Sequence, residues 1–475
     1  MPGEGVLRLR RGPDRRATAA PTTPSIGTRP RDRLRQNDPI ETDGMSAPAR
    51  RKDFASIVAG LTSANVVLLL TGVITGPIIA RVLGPDGRGE LAAIIAVLAL
   101  APPLLDLGLS YWIPRERAIG AGRGEILGAA LPVALSCSLI AVIAAIPIAE
   151  LLGRGRDDVE TFLAIGLCIT PVGIALQALL GLAIGESRWR MYAWTRIACG
   201  VLPAFGVVAL WLLGELTVAS AAVAYIVGSL AGSLPLLTLL RGAGRLRLDW
   251  ERSKIAATFG AKSWLNTVTA VANNRIDQVL MAGLVPSRQL GHYAVAVTIS
   301  SVTYGLGAAV SGAIYPRVAA GDTQLAARSC RITVLLVAVA SACLAVLTPW
   351  IVPGAFGADF REAVPMALIL LAASVPAAAT SVLTAALTAS NHPTAPLRAE
   401  LVSLAVMVPT LFLLLPRYGG NGAACVSLVT YTLRLVLMLH AAQRTLHCSW
   451  RILVVPEWDD LRWLRNRARR RVAPQ

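Results

Sequence analysis

Apolar runs of about 20 residues alternate with short charged turns along the chain from Phe54 to about residue 440. A helix needs a run of about that length to cross roughly 30 Å of hydrocarbon. The two-residue alternation of a membrane β-barrel is absent. The pattern therefore predicts an all-α, polytopic membrane protein of about twelve transmembrane helices. Their expected spans are approximately 55–80, 90–113, 126–149, 160–184, 193–213, 216–240, 263–285, 291–315, 329–351, 363–389, 397–416 and 419–440.

Composition agrees, with 55% hydrophobic and 15% charged residues and a mean hydropathy of +0.60. A soluble chain carries nearer ~25% charge. A net charge of +17 raises the question of nucleic acid, but the positions of the 45 basic residues answer it. Twelve precede residue 55, eight follow residue 440, and nearly all the rest sit in turns between apolar runs. Turns after even-numbered spans hold 15 of them and turns after odd-numbered spans hold 7. The positive-inside rule then places the even turns and both basic termini in the cytoplasm of a plasma-membrane protein. Six tryptophans, Trp112, Trp189, Trp194, Trp211, Trp264 and Trp350, fall near expected span ends, where amphipathic rings prefer to sit.

Residues 1–53 read as a disordered basic tail, and a translation start at Met45 would remove most of it. Sliding the chain by 202 residues aligns Gly89 with Gly291, Pro114-Arg115 with Pro316-Arg317, and Pro147 with Pro349. Pro85 and Pro286 match at 201, and Pro171 and Pro376 at 205. These pairs predict two six-span lobes, 54–240 and 263–442, joined by a cytoplasmic linker, 241–262. Even span numbers make the repeat parallel about the membrane normal, with a central cavity between the lobes. Residues 443–475 form a second basic tail, in which Trp458, Leu461 and Leu464 at helical spacing predict a surface helix on anionic lipid.

No phosphate-binding loop, zinc-protease motif or nucleophile elbow is present, so neither an enzyme nor a cofactor is expected. The seven cysteines form no CxxC pair and read as small packing residues. The glycines Gly120, Gly122 and Gly124 read as a turn rather than a phosphate loop. Polar residues inside spans are the informative ones, because charge in hydrocarbon normally faces a cavity or a partner. Span seven is richest: Ser263, Asn266, Thr267, Asn273, Asn274, Asp277 and Gln278 fall within an arc of about 140°, flanked by Thr269 and Arg275. Two readings stay open, a cavity wall for polar cargo and interhelical hydrogen bonding. Asp277 could equally carry a coupling proton or Na⁺ or pair with an arginine. Asn65, Asp106 and Arg434 are the other intramembrane candidates; Arg434 suits an oxyanion, unless it snorkels to the surface. Arg196 reads as an anchor at the inner end of span five.

Three stretches, IIARVLGPDGRGELAAI (78–94), LLDLGLSYWIPRERA (104–118) and NNRIDQVLMAGLVPSRQLGHYAVA (273–296), resemble the polysaccharide-export flippases of the multidrug/oligosaccharidyl-lipid/polysaccharide superfamily. The resemblance implies two six-helix lobes around a central cavity. It also implies movement of a lipid-linked oligosaccharide of polyprenyl pyrophosphate type to the outer leaflet by alternating access. Membrane lipids, and glycosyltransferases or a polymerase of the same pathway, are the implied partners; nucleic acid is not. Asn65, Asp106, Arg115 and Asp277 fall where similar proteins carry polar residues. A cation-coupled multidrug exporter of the same superfamily is the alternative, and a membrane polymerase or ligase a more distant one, since the outer loops are only about ten residues long.

Overall fold

Inside lipid every backbone N–H and C=O must be satisfied within the protein, which leaves helices as the available spanning form for this chain. The computed structural model describes residues 47–153, 155–319 and 323–446. It contains α1 (Ala47–Leu105), α2 (Leu109–Ala118), α3 (Arg123–Gly153), α4 (Asp157–Gly185), α5 (Trp189–Leu213) and α6 (Val218–Ser233), which runs on as 3-10 turns to Leu240. Then follow α7 (Trp250–Leu284), α8 (Ser287–Ala319), α9 (Thr323–Ile351), α10 (Ala363–Ala389) and α11 (Thr394–Leu446). Residues 1–46 and 447–475, with most of both basic tails and the expected surface helix, lie outside the described residues, as does the side chain of Ser263.

Among the described residues nine helical stretches are long and apolar enough to cross a membrane. Two of them, Ala64–Leu105 and Thr394–Thr445, are 42 and 52 residues long and serve as two crossings each. Each bends at one glycine, Gly84 (φ 67°) or Gly419 (φ 53°), a backbone region where a Cβ is penalised. The more polar α7, 35 residues long, completes the twelve crossings read from the sequence.

Two element boundaries differ from expectation. The second span does not run unbroken to 113: it stops at Leu105, and α2 starts afresh at Leu109. Leu107 (φ 43°) and Gly108 (φ 74°) are left-handed there, and the Asp106 carboxylate accepts the Gly108 amide at 2.9 Å and the Ser110 hydroxyl. Asp106 thus ties down the turn between α1 and α2, a short-range bonding pattern in keeping with the D-x-G-x-S spacing. The linker is also shorter than 241–262, because Asp249 accepts the Arg252 amide at 3.0 Å and caps α7.

Packing follows the rule for bilayers, where lipid tails are as apolar as leucine and small residues let helices approach. Ala80, Ala93, Ala145, Ala222, Ala363 and Ala386 are fully buried, while Ile143, Phe205 and Val346 are exposed on the outside of the bundle. In the second half α10 packs against α8, α9 and α11; in the first, α3 and α2 pack on α4, and α5 on α6. Helix α7 contacts α2 and α3 as well as α8 and α11. Trp112 is buried rather than interfacial, whereas Trp194 and Trp350 are exposed at span ends.

Candidate functional site

The polar face of α7 divides between two environments. Toward α8 and α11, Asp277 accepts the Tyr293 hydroxyl at 2.5 Å, and that hydroxyl lies 3.3 Å from Ser427. One turn earlier, Asn273 Nδ2 donates to the Glu400 carboxylate at 2.8 Å and to its backbone oxygen at 3.0 Å. Glu400 in turn takes Arg434 Nη1 at 3.0 and 3.1 Å, and the Arg434 guanidinium stacks 5.2 Å from the Tyr431 ring centroid. Asn273, Asp277, Gln278 and Arg434 are all buried. This cluster belongs to the packing of the second half, and Arg434, expected to meet an oxyanion, is already held by Glu400. Glu400 escaped sequence reading because it stands beside Arg398 at the start of a span, where a charge reads as part of a turn.

A cavity of about 920 Å³ lies elsewhere, lined by α1, α4, α5 and α6 with Arg275 of α7 and Thr298 of α8. Three arginines reach it, Arg88, Arg196 and Arg275, and among the described residues no Asp or Glu lines it. Arg88 Nη2 donates to Thr298 at 3.4 Å, while its buried Nε has no hydrogen-bond partner. Arg275 donates to Gln278 at 3.4 Å, and Arg196 to Tyr192 at 3.2 Å. Gln177, Tyr192 and Tyr225 add amide, hydroxyl and ring surface. Of the candidates read from the sequence, the structure brings only Arg275 to this cavity. Asn65 is exposed on α1, on the same helical face as the cavity-lining Gly72; Asn274 is exposed and bonded to the Ala270 carbonyl at 2.9 Å. Asp106 is buried and is not among the lining residues. Arg88 was hidden by its place four residues after a kink glycine, and Arg196 by its nearness to a span start.

At one end of the bundle the halves meet on the repeat-related glycines. A Cβ added to Gly89 would fall on the Ser287 carbonyl, and one added to Gly291 would fall on the Pro85 carbonyl. Both contacts shift by 202 positions into each other, so a local two-fold axis runs through this seam. Two arginines cross it: Arg81 donates to the Ala355 carbonyl at 2.8 Å, and Arg156 to the Ala282 carbonyl at 3.0 Å. At the opposite end Glu186 collects Arg117, Arg123 and Arg188 within 3.0 Å. The hydrogen bond from Arg123 chiefly holds the Glu186 carboxyl below the usual carboxylate range, with Arg117 adding to it against the opposing effect of burial.

Residues 57–321 match the family model described as polysaccharide biosynthesis protein. A search of curated proteins returns no match. Among solved structures, the fold is similar to that of the lipid II flippase MurJ in an inward closed conformation, with a TM-score of 0.68 at 12% identity over 87% of this chain and 93% of that one. An inward-facing multidrug resistance MATE transporter of the MOP superfamily gives a TM-score of 0.64 at 14% identity, covering 83% and 98%. The MATE multidrug transporter DinF-BH gives 0.61 at 16%, covering 88% and 100%.

Proposed function

The chain belongs to the polysaccharide biosynthesis protein family, within the MOP superfamily, and from that premise we propose that it is a flippase whose cargo is a lipid-linked oligosaccharide bearing a pyrophosphate. One observation carries the reading: a large cavity with three arginines and, among the described residues, not one lining carboxylate. Guanidinium forks bind phosphate oxygens by paired, charge-assisted hydrogen bonds. Arg196 lies about 10 Å in from the start of α5, Arg88 about 6 Å in from the outer kink, and Arg275 between them at about 14 Å from the end of α7. The three stand at successive depths, so a pyrophosphate can pass from one to the next while its sugars occupy the wet space and its polyprenyl tail stays in lipid.

The outer seam at Gly89 and Gly291 closes that side of the cavity, and rocking of the halves about it exposes the cargo to the outer leaflet. An inside-negative potential favours outward movement of each negative charge by about 2.3 kcal/mol per 100 mV. A coupling cation at Asp277 is a second energy source in this reading, but it would have to displace the Tyr293 hydroxyl. Export of cationic drugs fits less well, since among the described residues the charged side chains lining the cavity are arginines.

The test is outer-leaflet delivery of a fluorescent polyprenyl-pyrophosphate oligosaccharide in proteoliposomes. Arg88→Gln with Arg275→Gln is expected to slow delivery by about 10²- to 10⁴-fold, as two lost charged hydrogen bonds of roughly 1.5–3 kcal/mol each imply. Delivery at the wild-type rate with equal protein would remove the cationic cavity from the mechanism. Drug sensitivity with normal surface polysaccharide in a deletion strain would favour the exporter.

A further inference from the structure

Between Leu240 and Trp250 the chain runs as an irregular strap along the first turns of α3. The side-chain-free surface of α3 receives it: a Cβ at Gly124 would fall on the Ala243 and Arg245 carbonyls, and one at Gly128 on the Arg247 carbonyl. Further ties pin both ends. Arg123 donates to the Arg241 carbonyl at 3.1 Å, Arg252 pairs with Glu125 at 2.7 Å, and Ser253 donates to the Ala129 carbonyl at 2.8 Å.

These contacts fix the strap's depth. From Arg123 to Ala129 a helix rises about 9 Å. The 31 residues of α3 make a rod of about 46 Å against about 30 Å of hydrocarbon, so roughly 8 Å at each end stands in the headgroup layer. The strap lies beside that stretch. With its backbone committed to α3, its side chains turn outward: Leu246, Leu248 and Trp250 are 54%, 72% and 67% exposed. They continue the exposed row of Leu234, Leu237 and Leu240 on the preceding 3-10 turns. Arg241, Arg245 and Arg247 alternate with them, are exposed, and among the described residues have no carboxylate within ion-pair distance.

We propose that the strap, residues 241–250, is a binding surface for anionic phospholipid headgroups. Leu246, Leu248 and Trp250 enter the acyl boundary, and the three arginines meet lipid phosphates. A zwitterionic headgroup presents the same phosphate but brings its own cation, so uncommitted guanidiniums select a lipid of net negative charge. This surface does not depend on what the cavity carries.

The full chain is reconstituted in vesicles containing either brominated phosphatidylglycerol or brominated phosphatidylcholine at equal mole fraction. The share of emission from Trp250 is obtained by difference from Trp250→Phe. Brominated phosphatidylglycerol is expected to quench that share about fivefold more effectively for each arginine engaged. Combined Arg241→Gln, Arg245→Gln and Arg247→Gln substitution is expected to abolish the difference and leave the weaker quenching by brominated phosphatidylcholine. Equal quenching by the two lipids in the wild-type chain overturns the selection. A Trp250 share that neither lipid quenches overturns the placement in the headgroup layer, and a preference that survives the triple substitution overturns the assignment to these arginines.

Discussion

The two halves share a six-crossing plan and a common seam, yet they treat charge in opposite ways. In the second half Arg434 is tied to Glu400, Glu400 to Asn273, and Asp277 to Tyr293, so each of these charges has a partner on a neighbouring helical segment, although Arg434 Nε and Asn273 Oδ1 are buried without one. The cavity of the first half holds Arg88 and Arg196, with Arg275 reaching in from α7, and the hydrogen bonds of all three go to neutral partners. In the proposed reading one half serves as a packed body, while the other keeps cationic groups available. A charge within the bilayer signals either packing or binding, and its partner decides which.

The largest effect that can break this contrast comes from the packed half. Removing one member of a buried pair strands the other, at a cost of about 3–5 kcal/mol. Glu400→Ala is therefore expected to lower the thermal unfolding temperature in detergent sharply, and Glu400→Ala with Arg434→Met to recover most of it. Unchanged unfolding in the single variant, with transport lost, would mean that this half also uses its charge on cargo.

Next comes the cavity. Arg275→Gln alone is expected to slow oligosaccharide delivery by about 10- to 100-fold with unchanged unfolding temperature, the reverse of the Glu400 pattern. If instead it unfolds the protein, its apparent availability conceals a structural bond.

The seam should respond less strongly. Gly291→Ala places a methyl against the Pro85 carbonyl. Overpacking of about 1–3 kcal/mol would shift the closed population by roughly 5- to 150-fold. Thiol labelling of a cysteine introduced beside the seam should rise accordingly, and Gly89→Ala should match it by symmetry.

The smallest effect concerns pH. Because Glu186 is held below the usual carboxylate range when folded, its contribution is complete above the unfolded value of about 4.3 and disappears as pH falls through the lower folded value. Unfolding temperature should therefore be flat at neutral pH and drop in acid, with a shallower drop in Glu186→Gln.

Much of the architecture was legible because hydrocarbon imposes a length and a polarity on every crossing. The repeat pairing Gly89 with Gly291 was legible too, although only coordinates show that the two glycines touch. The break at Asp106 could have been read from D-x-G-x-S, but its apolar surroundings masked it. The site was less legible. The arc on α7 gathered Asn273, Asp277 and Gln278, which are buried, with Asn274, which is exposed, and left their environments open, since periodicity gives a direction around one helix without saying which helix lies there. Arg88 and Arg196 looked like turn and anchor residues, and Glu400 like the edge of a span.

Sequence alone therefore determined that this chain crosses the membrane about twelve times, that its halves carry matched glycines and prolines, and which way its basic turns are expected to face. Those properties follow from single-segment transfer energies and from local spacing. Tertiary structure alone decided that Glu400 neutralises Arg434 while Arg275 meets an open cavity. The fate of a charge in a low-dielectric interior depends on groups within a few ångströms of it, and those groups lie 34 residues away in one case and on other helices in the other.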